Sequence, residues 1–475
     1  MARQTTRRRV TTVVALVCGL LALAAGAWGL QRWSPFADTP AQVLWPANVQ
    51  PLAEFVERTT GREFVEPISV QFVADADAYE QRVADRQPPP STADRERAAV
   101  DEAVGRALGL WEGEVSFLAI RETYQQLQPL PVEWSADDGT IVVNAGGDTA
   151  ELSPLVRAEL TLRLTQALDN QWFHTSEAAD DAATSQDYQV ALALGLGHAI
   201  WVHDLYVDGL ADDDLEQYYS AYDERGEMFF EAVAQVPAAY RAIRVASQQL
   251  GPMFVEALTE QGRQLVDLAF TTQPPAALDQ VSLPVGKYLR RDALEPVAAP
   301  PAPSAGVVRY TNQMGPFGLY LLLSTGLPVT EALTAADGWG NDRYTAYQLG
   351  DRVCVDAHIV ADSRDDAGRM HAGLTAWARA RPDDTDALVA RNGTDLYVSA
   401  CDPGPAASQP APTAEAIDHY LGRAQEIRQR SDYSGDPALA ECVAVTYFAA
   451  HSLYDDSVDY WGETDRIELD CLDTT

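Results

Sequence analysis

Seven histidines are the scarcest chemistry in this chain. His174, His198 and His203 fall close together, and Asp204 follows the last of them. Imidazole and carboxylate are a ligand set for zinc and the working groups of general acid–base catalysis. Spacing limits what these can do. At ~100° per residue, His198 and His203 on one helix point ~140° away from each other, so one ion is not gripped by both. His174 with His198 is the remaining pairing for a displaced metal site. Nucleophiles fare no better, because the sequence has no G-x-S-x-G, no phosphate-binding glycine loop and no calcium-loop pattern. The acids of "DLYVDGLADDDLE", from Asp204 to Glu216, read as a solvated loop, and "NGT" at Asn392 reads as turn chemistry.

The elements that must position these groups are mostly helices. "RAELTLRLTQALDNQWFH" (157–174) reads as one helix, with Ser153 as its cap and Pro154 in the first turn. A polar loop leads to "YQVALALGLGHAIWVHDLYV" (188–207), an apolar-rich helix expected to be largely buried. Upstream, residues 66–73 and 140–144 read as strands, with helical spacing over about 97–128 between them. Further helix runs to about Leu268, and "ALEPVAAPPAPSAG" (293–306) reads as a Pro/Ala linker and the best domain boundary. Beyond it come two helices, two strands around "LGD", a helix, and a hairpin at Asn392-Gly393. A second Pro-rich linker (404–413) precedes a helical tail (414–475). The expected fold class is α+β, a predominantly helical lobe over 49–292 followed by a small α+β lobe over 307–403.

The run "LRLTQALDNQWF" (162–173), "LGHA" (196–199), "LGPMFVEAL" (250–258), "PVGKYL" (284–289) and "DGWGNDRY" (337–344) occur in this order. In order and spacing they resemble a family of membrane-anchored, zincin-like metallopeptidase-type proteins of GC-rich bacteria, over about three quarters of the chain. Members with an intact motif carry a run close to HELTHALQDQHF and a downstream EGDA. The resemblance implies a zincin-like lobe, and it maps the two metal-binding histidines to Leu162 and Gln166, the general base to Arg163 and the third ligand to Leu196. Leucine has no lone pair to donate, glutamine offers only a neutral amide oxygen, and arginine cannot accept a proton. A guanidinium ~5 Å from a divalent cation, at an effective dielectric of ~20, meets repulsion of roughly 6–7 kcal/mol. The motif is therefore read as degenerate, with no catalytic residue, no metal and no cofactor. Glu159, His174, His198 and Asp204 are what a residual cleft would contain, and Glu159 or Asp204 is the expected partner of Arg163.

The bulk composition agrees with a globular protein outside the cytoplasm. Seventy acids face 34 bases across 475 residues, a net charge of −36, which argues against nucleic acid as a partner. Lys287 is the only lysine. Arg7, Arg8 and Arg9 precede an uncharged apolar run over 10–30, about 31 Å long as a helix at ~1.5 Å per residue. This reads as a transmembrane anchor with residues 1–9 cytoplasmic, a stalk over 31–48 and the rest outside. A cleavable signal peptide is the competing reading, since "AGA" at 25–27 resembles a cleavage site. Four cysteines lie beyond the anchor and allow three pairings. Strand and tail positions favour Cys354–Cys401 and Cys442–Cys471. The functional expectation is a catalytically inactive, metallopeptidase-like ectodomain that binds an envelope protein or peptide. The alternatives are a hydrolase with a displaced metal around His174 and His198, and a purely structural envelope protein.

Overall fold

A short β-branched stretch, Thr140–Asn144 (β3), organises the first part of the fold. The structure, a computed structural model, describes residues 45–66, 68–86, 89–126, 131–145, 151–455 and 457–472. The expected anchor over 10–30, with the segments around it, lies outside the described residues. β3 is central in a three-stranded sheet, parallel to Ser69–Val73 (β1) and antiparallel to Val132–Ser135 (β2). Ile141, Val142 and Val143 are fully buried. A parallel pair needs a long crossover, and helices Ala76–Asp85, Thr92–Leu108 and Phe117–Gln126 intervene between β1 and β3. β2 and β3 are joined through Gly139, whose φ of 61° is the left-handed conformation that glycine adopts without strain.

Four long helices follow: Pro154–Phe173, Ser185–Asp208, Asp212–Ala232 and Ala238–Gln261. Ser153 caps the first by accepting from the Val156 amide at 3.3 Å, and Thr184 caps the second at Asp187. Ser185–Asp208 is long and apolar enough to cross a membrane by length and composition alone, yet half of its most apolar window is buried inside the protein. Its partner is Ala238–Gln261. The two backbones meet at Gly197 and Gly251, where a Cβ on Gly197 would stand 2.5 Å from the Gly251 Cα.

The second sheet is antiparallel with order β4-β5-β6-β8-β7: Val307–Asn312 (β4), Trp339–Leu349 (β5), Arg352–Ala361 (β6), Leu388–Asn392 (β7) and Asp395–Cys401 (β8). Alternation gives it two faces. Val355, Ala357 and Ile359 of β6 join the main core with Leu396, Val398 and Ala400 of β8. Helices Thr92–Leu108 and Arg364–Ala380 pack against this sheet, and Trp377 Nε1 donates to the Leu108 carbonyl at 2.9 Å. The architecture is mixed α+β, with the larger sheet toward the C-terminus.

The expected division into lobes, linkers and tail differs from the packing. From Pro46 onward the chain forms one compact unit. Residues 293–303 are irregular but docked: Asn341 Nδ2 donates to the Glu295 carbonyl at 2.6 Å and Thr345 Oγ1 to the Pro300 carbonyl at 2.5 Å. Helices Ala414–Ser434, Pro437–Ala450 and Tyr460–Leu472 are not a trailing tail, because one core cluster runs from Val100 to Cys471. Arg423, only 2% exposed, is held by both oxygens of Asp337 at 2.9 and 2.7 Å. Glu441 accepts from the Val285 and Gly286 amides. Disulfides join Cys354 to Cys401 and Cys442 to Cys471, and disulfides belong to an oxidising, extracytoplasmic compartment.

Candidate functional site

Arg163 lies on Pro154–Phe173 and faces the small sheet. Its Nε donates to the Val132 carbonyl of β2 at 3.2 Å, and its Nη1 donates to Gln166 Oε1 at 2.8 Å. Two positions that the resemblance assigns to the metal site thus satisfy each other. Leu162 is buried and Leu196 half-buried. These residues do not fit a zinc ion: two have no donor atom, the amide oxygen is already engaged, and the fourth is a cation.

The expected partners of Arg163 need correction. Among the described residues, neither Glu159 nor Asp204 comes within ion-pair distance of it, and Asp204 is bound to Arg428 at 3.0 Å. Arg163 is half-buried, so a carbonyl and an amide suffice as direct partners. Counter-charge comes from farther off. Burial pushes the Glu133 carboxyl up, and the field of Arg163 pulls it back only in part. Tyr79, fully buried beside them, is raised by the same desolvation.

Further along the same helix, Asp169 meets His198 of Ser185–Asp208, a pair that the sequence alone does not reveal. His198 Nδ1 sits 2.8 Å from Asp169 Oδ2, and both side chains are almost fully enclosed. Trp201 stacks against the imidazole and Phe270 meets it edge-on. Phe173 stacks on Phe270 in turn, at 4.4 Å, and Arg62 lies over Phe173. Asp169 Oδ1 is buried with no hydrogen-bond partner. A signal for Asp169 does exist: it continues the buried stripe Leu162, Thr165, Asp169 at i, i+3, i+7, where an acid is out of place. An Asp–His pair can orient an imidazole as a general base, but aromatic rings close round this one.

The other histidines go elsewhere. His174 is exposed at the helix C-terminus, with Glu177 its nearest carboxylate at 3.8 Å. His203 Nδ1 is 3.1 Å from Asp204 Oδ1, and its Nε2 is 3.4 Å from the Tyr218 hydroxyl. Asp204 passes the network to Arg428, whose Nε donates to Glu256 Oε2 at 2.8 Å. Burial works against the Asp204 charge, yet the His203 hydrogen bond and Arg428 hold its carboxyl below the usual range. Burial and a hydrogen bond with Asp432 push Glu256 up to about 8. Among the described residues, no group of three or more His, Cys, Asp or Glu side chains could hold a metal ion. The acids after Asp204 also have ordinary work: Asp212, Asp213 and Asp214 fill the first turn of a helix, and Asp214 pairs with Arg157 at 2.6 Å.

Beside this network lies a groove of about 740 Å³, walled by Asp212–Ala232, Ala238–Gln261 and Ala414–Ser434. Ile200, Phe229, Met253, Ile417 and Leu421 give it an apolar floor, and Arg241 and Arg428 line it. This groove has no counterpart in the sequence pattern, because it forms between helices far apart in the chain.

Comparison with known proteins places only the second sheet. Residues 306–408 match a family described as a domain of unknown function (DUF8575). The match spans β4 to β8 and the segment just after. No curated protein matches the chain, and no solved structure does.

Proposed function

We propose that this chain is a catalytically inactive, metallopeptidase-like ectodomain, held at the cell envelope by its N-terminal apolar segment, that binds a peptide or protein segment. The observation that carries the inactive part is the Arg163–Gln166 hydrogen bond at 2.8 Å, which occupies the base and one ligand position with a cation and its acceptor. The resemblance of the motif helix and of the later motifs supports the zincin-like part. The 740 Å³ groove, within the size range of ligand sites, supports the binding part. Two disulfides support a location outside the cytoplasm.

Zinc titration of the full chain, purified in detergent, tests the inactive reading. After dialysis the protein should retain well under one equivalent of zinc and hydrolyse no casein. A stoichiometric zinc bound through His198 would overturn it in favour of the displaced-metal hydrolase. The double variant Leu162→His, Gln166→His should stay inactive, because Arg163 still repels the ion and supplies no base. Crosslinking in intact cells tests the binding part: capture of no envelope protein or peptide at all would favour a purely structural role.

A further inference from the structure

The groove holds one charge that nothing matches. Among the described residues Arg241, half-buried on the wall, has no carboxylate within ion-pair distance, and its Nε is buried without a hydrogen-bond partner. The other charges on the wall are engaged. Arg428 holds Asp204 and Glu256, and Asp418 accepts from the Tyr454 hydroxyl at 2.6 Å. Two carboxylates, Asp204 and Asp418, also line the groove, but both are engaged by other side chains and neither lies within ion-pair distance of Arg241. Arg241 also sits in the first turn of Ala238–Gln261, a helix end that already carries partial positive charge and has no side-chain cap. A buried guanidinium N–H with no acceptor is costly, and a planar anion is the natural complement of the group that carries it.

The rest of the groove specifies what carries that anion. The floor is apolar, and the amides of Gln248, Gln249 and Gln425 line it as well. Amides hydrogen-bond to peptide units in both senses. We propose that the groove binds the C-terminus of a peptide ending in a large apolar residue. Arg241 takes the terminal carboxylate, the floor takes the last side chain, and the glutamines take the backbone before it. This rests on the peptide-binding reading above and names its ligand.

Isothermal titration calorimetry of the full chain in detergent, with N-acetyl-Gly-Ala-Phe as probe, tests it. The free acid should bind saturably, and the same peptide with a C-terminal amide should bind about tenfold or more weakly, the loss of one charge-assisted pair. Arg241→Gln should weaken the free acid by a similar factor and leave the amide unchanged. The Arg241 side chain makes no hydrogen bond or ion pair among the described residues, and its backbone amide bond to the Pro237 carbonyl is kept by glutamine, so this variant should melt like the parent. Val245→Trp, which fills the groove one helical turn from Arg241 on the same wall, should abolish binding of the acid. Equal binding of acid and amide overturns the proposal, as does undiminished binding to Arg241→Gln. In that last case peptide binding as such would stand and only this site would fall. Binding of decanoate but no peptide, lost in Arg241→Gln, would assign the groove to a free fatty carboxylate and overturn the peptide.

Discussion

Two arginines divide the molecule into contrasting regions. Arg423, among the C-terminal helices, is nearly sealed from water and grips both oxygens of Asp337. Arg163, on the motif helix, is half-open and leans on a carbonyl and an amide while its carboxylate neighbours stand off. The first is an ion pair that ties the C-terminal helices to the end of the helix Val329–Asp337, just before β5. The second is a cation in a place where the resemblance implies a catalytic carboxylate, tolerated because water and distant acids screen it. Depth and partner distance, rather than residue type, decide which arginine the fold depends on.

Arg423→Met should give the largest effect. Removing one partner of a buried pair leaves Asp337 uncompensated and should cost about 3–5 kcal/mol in a urea melt of the full chain. A loss under about 1 kcal/mol would erase the contrast. Opening the Cys442–Cys471 bridge by paired serine substitution should cost about 3 kcal/mol, since it closes a loop with a sequence separation of 29. Arg163→Gln should cost only about 1–2 kcal/mol, the value of two hydrogen bonds. A larger loss would mean that the fold depends on Arg163 as heavily as on Arg423.

The smallest effects are pH slopes. The folded protein keeps the Glu256 proton to about 8, whereas the ordinary glutamate value is 4.5. Its contribution is therefore full below the lower value and is lost as pH rises toward about 8. His419 works in the opposite sense: burial lowers it from 6.5 to about 4, so stability falls as pH drops through that window. Glu256→Gln should flatten the alkaline limb of a stability–pH curve, steepen the rise between 4.5 and 6.5 where Glu256 opposes His419, and leave the course below 4.5 alone. An unchanged alkaline limb would remove Glu256 as its source.

Local features are legible in the sequence and distant contacts are not. Ser153, Pro154 and the apolar stripe mark the motif helix, and Asn392-Gly393 marks the β7–β8 hairpin, because caps and turns depend on neighbours in the chain. β2 carries too little signal: "VEWS" is four residues, and only pairing with β3 makes it a strand. The Pro/Ala segment reads as a linker, since composition does not reveal that Asn341 and Thr345 bind its carbonyls. Helical spacing offers Arg163 a partner one turn away, but its side chain turns sideways to a strand. Asp169 and His198 meet only because two helices cross where they do. The later motifs of the resemblance prove to be junctions: Gly251 admits the Gly197 backbone, and Asp342 accepts from the Met314 and Gly315 amides at the start of a helix.

One core shared from Val100 to Cys471 sets the order in which this protein can be made. Arg106 reaches across 296 residues to Asp402, and Trp377 across 269 to Leu108. Contacts of such range form late, after much chain entropy has been surrendered. The N-terminal helices cannot complete their burial while the last three helices are still being synthesised. A newly made chain therefore emerges with apolar faces uncovered and is open to proteases and aggregation until its final residues arrive. Expression yield, more than the stability of the finished fold, is where truncation from the C-terminus should be felt first.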